Sequence, residues 1–173
     1  MWQKLSRSYP PQFELLPLFL LAVSVYLTLS AYPSLPDRVP THFNFWSVPD
    51  GWGEKSSILA LLVLNAFVYV LLTVISVLLA TVKEPRKLLN LLEKRKATLT
   101  DAQAEELCIF LNRCLFALKV VVQGLMVYTI YITIEIALGR AEGLGDYWLL
   151  FIMAILAVVA VMVWRSFRIA SPG

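Results

Sequence analysis

SILALLVLNAFVYVLLTVISVLLATV, residues 57–82, runs 26 positions without a charged side chain. Crossing about 30 Å of hydrocarbon takes about 20 mainly apolar residues in a helix. Three other stretches meet the same standard: Phe13 to Tyr32, Val120 to Leu138, and Tyr147 to Trp164. Backbone polar groups in lipid must be satisfied within a helix or a closed barrel. Barrel strands are about half this length and alternate in polarity, so these runs predict helices.

The composition agrees. Hydrophobic residues make up 59% of the 173, charged residues 16%, and the mean hydropathy is +0.72. Soluble domains are about one quarter charged. The expected fold is all-α: a polytopic bundle of four transmembrane helices, one integral membrane domain over residues 1–173. An ordered outer loop rich in proline and aromatics, residues 33–56, joins the first two helices. No length remains for a separate soluble catalytic module.

Lysine and arginine placement predicts the orientation. Lys4 and Arg7 precede the first span, six basic residues lie between Lys83 and Lys96, and Arg165 and Arg168 follow the last span. The other two loops hold only Arg38, Lys55 and Arg140. Both termini and the 83–119 segment are therefore expected in the cytoplasm, with the 33–56 loop outside. The first apolar run exceeds a signal-peptide core of about 7–15 residues and lacks a small-x-small site, since Leu29 precedes Ser30-Ala31. It is expected to stay as a span.

Pro85 should stop the second helix near Glu84. PRKLLNLLEKRK, residues 85–96, reads either as a short helix on the anionic inner leaflet or as a solvated connector. Thr100 and Gln103 have capping-box spacing, so the third helix is expected from Asp101 unbroken to about Leu138. Arg113 and Lys119 fall near the inner interface, where long cationic side chains snorkel. Cys108 and Cys114, six apart on that helix, point to different faces and read as small buried hydrophobes rather than a bridge.

The outer loop contains LPDRVPTHFNFWSVPDGWGEK, residues 35–55. Pro33, Pro36, Pro40 and Pro49 forbid a regular helix. Phe43, Phe45, Trp46, Val48 and Trp52 are too much apolar surface to leave in water; they belong at the headgroup level or against the bundle. Pro49-Asp50-Gly51 has the chemistry of a turn. The segment is expected to form an ordered lid.

The residues Leu35, Pro36, Val39, Pro40, His42, Phe43 and Asn44, followed by Pro49, Asp50, Gly51, Trp52, Gly53 and Lys55, spell L-P-x-x-V-P-x-H-F-N and P-D-G-W-G-x-K. This pattern resembles an uncharacterised bacterial membrane domain at the N-terminal part of SdpI-type immunity proteins. The resemblance covers about the first 80 residues, and Ser47 stands where that family usually has glycine. It implies a small helical protein of the bacterial inner membrane, with protection against a secreted toxin and a signalling role in the best-known relatives. Nothing from Lys83 onward carries a comparable motif.

His42, Asn44, Asp50, Glu54 and Lys55 gather polar chemistry at the outer surface. Glu135 joins them from the end of the third span, on the face of Gly124, Tyr128 and Tyr131. An acid at that depth needs a partner, and Lys55, Arg38 or His42 would serve. One histidine with scattered carboxylates is thin for a metal site at His42, Asp50 and Glu135, and no nucleophile motif appears. Asn65, Thr73, Ser76, Gln123 and Gly124 suit hydrogen bonding or close approach between helices. The middle of each span is nearly uncharged, and Glu14 sits near the inner end of the first.

These features lead to a membrane binding or sensor protein whose lid, through His42, Phe43, Asn44, Asp50, Trp52, Lys55 and Glu135, recognises an external peptide or lipid-like factor. An accessory subunit of a larger membrane complex is the alternative, and a metal-dependent membrane enzyme a third. Membrane lipid is an expected partner, with a peptide toxin or a membrane protein as the specific one. No cofactor is called for, and no basic, aromatic-laced arm suggests nucleic acid.

Overall fold

The computed structural model describes residues 10–81 and 100–169. Four helices carry the chain: α1 (Leu15–Ala31), α2 (Ser57–Thr81), α3 (Asp101–Ala137) and α4 (Tyr147–Ile169). All four are long and apolar enough to cross a membrane, which makes this a multi-pass membrane protein. Large apolar side chains such as Phe19, Val63, Phe67, Leu150 and Met153 face outward, as a lipid-bathed surface requires.

A 3₁₀ turn, Pro11–Glu14, leads into α1. Pro17 is accommodated in the first turn of α1, where the backbone N–H that proline lacks would have had no partner within the helix. The fourth helix continues five residues beyond the expected Trp164. The third helix begins at Asp101, and the reason is visible: Gln103 N donates to Thr100 Oγ1 at 3.2 Å while Thr100 N donates to Gln103 Oε1 at 2.9 Å. At 37 residues it spans about 55 Å at 1.5 Å per residue. The basic 85–96 segment lies outside the described residues.

α3 is the central element. It packs against α1, α2 and α4, whereas α4 leans chiefly on α3. Gly124 permits that contact, since a Cβ there would stand 3.0 Å from the Phe151 ring. Two apolar clusters hold the bundle. At one end, Leu79 of α2 packs with Ala104, Leu107 and Cys108 of α3. At the other, Ile58, Ile130 and Ile134 close around Leu35 and Val39 from the connecting loop. Cys108 and Cys114 are buried free thiols.

The loop between α1 and α2 is a β-hairpin, β1 (Arg38–Phe43) paired antiparallel with β2 (Pro49–Glu54). Pro49-Asp50-Gly51, expected as the turn, instead opens β2. The reversal is made four residues earlier. Asn44 Oδ1 accepts from the backbone N–H groups of Trp46 (2.9 Å) and Val48 (3.1 Å), and Ser47 takes φ +63°. Asparagine outbids the Pro-Asp-Gly signal because its side chain mimics a backbone acceptor and caps the turn itself. Pro40 is tolerated because a two-stranded ribbon consists only of edges.

Candidate functional site

The hairpin is keyed into the bundle by its stem. Leu35 and Val39 are buried, each adding about 1.5–3 kcal/mol of apolar burial. Arg38 Nη2 donates to the Trp52 carbonyl at 2.9 Å across the ribbon. Lys55 Nζ reaches the Leu35 carbonyl at 3.5 Å and lies 4.8 Å from the centre of the Tyr32 ring. Lys55 thus fastens the base of the lid rather than presenting a charge at its surface.

Pairing is irregular on both sides of His42: Pro40 faces Trp52, His42 faces Gly51, and Phe43 faces Pro49. Such irregularities re-aim side chains. Here they set His42 Nδ1 2.5 Å from Asp50 Oδ1 on the exposed side of the ribbon. Gly51 is required beneath this pair, because a Cβ would meet the His42 Cβ at 2.8 Å.

The tip carries the aromatic surface. Phe45 is 89% and Trp46 79% exposed, their rings edge to face at 5.4 Å. They do not fold back onto the bundle; Leu35 and Val39 take that role. Ser47 ties the tip to the loop between α3 and α4: its carbonyl accepts from Leu144 N at 2.9 Å, and its Oγ accepts from Trp148 Nε1 at 3.0 Å. The Tyr128 hydroxyl donates to the Leu144 carbonyl and holds that loop from below. Beneath β1, a groove of about 420 Å³ is lined by Val39, Phe43, Ile58, Leu61, Thr129 and Thr133.

Glu135 does not join the lid. Its carboxylate takes a hydrogen bond from Arg140 Nη1 at 3.2 Å, not from Lys55, Arg38 or His42. The cause is the end of α3. Gly139, at φ +72°, lets its N–H bond to the Ile136 carbonyl and the Arg140 N–H to the Glu135 carbonyl. This glycine-terminated reversal lays Arg140 over the last turn. His42 and Asp50 therefore meet, and Glu135 stays apart; among the described residues no group of three His, Cys, Asp or Glu side chains is placed to share a metal ion.

A second polar constellation lies inside the bundle. Lys119 is fully enclosed, against the expectation that it snorkels outward. Its Nζ donates to Glu14 Oε1 at 2.5 Å and to Thr73 Oγ1 at 2.9 Å, and the Tyr69 hydroxyl donates to Glu14 Oε2 at 2.9 Å. Three helices thus share one ion pair. Lys119 turns inward because α1 brings a carboxylate to its level, and a buried cation demands such a partner. Neighbouring polar contacts continue the seam. Asn65 Nδ2 donates to Ser24 Oγ (2.9 Å), Gln123 Nε2 to the Asn65 carbonyl (3.5 Å), and Asn112 Nδ2 to the Ser76 carbonyl (3.1 Å). The expected bonding of Asn65 and Gln123 between spans is present, with α1 as an additional partner. The signal for the whole seam was a polar stripe: Asn65, Tyr69, Thr73 and Ser76 on α2, and Asn112, Lys119 and Gln123 on α3, at spacings of three, four and seven.

A family model described as a domain of unknown function (DUF1648) matches residues 19–66. That segment holds most of α1, the hairpin and the first part of α2. No curated protein matches the chain. No solved structure matches it either.

Proposed function

We propose that this chain is a membrane binding protein of the sensor type, which receives an external peptide or lipid-like factor on its hairpin. One observation carries the reading: a hairpin braced at stem and tip nevertheless holds Phe45 and Trp46 out, 89% and 79% exposed. Rigid aromatics on a fixed support bind with little loss of side-chain freedom. The His42–Asp50 pair offers polar contacts on the same ribbon, and the groove under β1 is of a size suited to an apolar ligand group. The resemblance of the hairpin motif to SdpI-type immunity proteins and the basic-residue asymmetry support a bacterial inner membrane, cytoplasmic termini and an outward hairpin.

The test is survival of cells expressing the protein when challenged with secreted membrane-active peptides. Protection by the wild type, lost on Phe45→Ala/Trp46→Ala and weakened by His42→Ala at equal membrane levels, supports the proposal. Full protection by both variants rules out recognition through the hairpin.

An accessory subunit of a larger complex is the second reading, favoured by α4. None of its residues is buried, and it leans on α3 alone among the stronger helix contacts. Co-purification of a fixed membrane partner, lost when the outer face of α4 is altered at Leu150 and Met153, selects that reading.

A further inference from the structure

Between the two apolar clusters, the faces where α1, α2 and α3 meet are polar. Ser24, Thr28, Asn65, Ser76, Asn112 and Gln123 are all fully enclosed there. Among the described residues, five of their oxygens have no hydrogen-bond partner: Thr28 Oγ1, Asn65 Oδ1, Ser76 Oγ, Asn112 Oδ1 and Gln123 Oε1. Rotating the amides does not cure this. The Gln123 and Asn112 nitrogens already donate to backbone carbonyls, which only accept, so a flip would set oxygen against oxygen. Lipid chains have no donor to offer, and an orphaned acceptor in an apolar slab is costly.

The oxygens are also grouped. Asn65 and Gln123 are joined by a hydrogen bond, and Ser24 bonds to Asn65 one turn below Thr28. From Gln123, one turn of α3 leads to Lys119 and its pair with Glu14. The set is rich in acceptors, so its guest must be a small donor. Water fits: a buried water makes about three hydrogen bonds to groups otherwise unmet.

We propose that this seam is a hydrated internal site, where water donates to Asn65 Oδ1 and Gln123 Oε1 between Thr28 and the Glu14–Lys119 pair. It stands independently of what the hairpin binds. The bundle thereby holds small hydrogen-bond donors at a depth where the surrounding lipid offers none.

A direct search for the water tests the site. In a high-resolution experimental structure of the full chain in lipid, an ordered water is expected within about 3 Å of Asn65 Oδ1 and Gln123 Oε1. Absence of water there, in a map that shows other buried waters, overturns the proposal. An independent measurement is the melting temperature of Gln123→Leu. In a hydrated seam it stays level or falls, since a satisfied amide is lost; a rise of several degrees means that the amide oxygen was dry, and overturns the proposal as well.

Discussion

Trp148 Nε1 donates to Ser47 Oγ at 3.0 Å, a bond that joins the hairpin tip to the first turn of α4 across 101 residues of chain. Ser47 also holds φ +63°, a conformation that costs a residue with a Cβ about 1–2 kcal/mol. Ser47→Ala keeps that cost and loses the bond, whereas Ser47→Gly loses the bond and relieves the cost. Thermal unfolding should place Ser47→Gly about 1 kcal/mol above Ser47→Ala. The reverse order would mean that the backbone at this position holds no strain for glycine to relieve.

Lys119 and Glu14 give a second expectation. Removing one partner of a buried pair costs about 3–5 kcal/mol, while neutralising both costs far less. Lys119→Met should destabilise the bundle by roughly that amount, and the added Glu14→Gln should recover at least half, since glutamine still accepts from Tyr69. Circular dichroism melts in detergent read both. Additive losses in the double variant would deny the coupling.

Gly51 stands under His42 with no room for a methyl group. Gly51→Ala should therefore loosen the ribbon by about 1–3 kcal/mol and expose the 44–50 turn to limited proteolysis, leaving helix content unchanged. The cleavage pattern separates a local effect from unfolding of the bundle.

Arg140 and Glu135 make the contrasting case. Their pair sits at a helix end with the arginine largely exposed, so Arg140→Ala should cost less than about 1 kcal/mol. A larger loss in the melt would show that Glu135 is held far more tightly than its surroundings suggest.

The membrane spans were legible because an uninterrupted apolar run has only one stable conformation in lipid. The start of α3 was legible too, since the Thr100–Gln103 cap is a local device. The hairpin was harder. Four prolines argue against strands, and Pro49-Asp50-Gly51 competes with Asn44 for the turn; the bonds from Trp46 and Val48 to Asn44 decide the matter only in three dimensions. Lys119 was misread for a related reason. A cation near the end of a span snorkels by default, and its inward turn depends on Glu14, 105 residues away.

The hairpin has a mechanical consequence. Its stem is wedged among α1, α2 and α3, and its tip is bolted to the link between α3 and α4. With the far end closed by Leu79 against Ala104, Leu107 and Cys108, and Lys119 tied to Glu14 and Thr73, a push on Ser47 is passed to α3 and α4 together rather than swinging one helix loose.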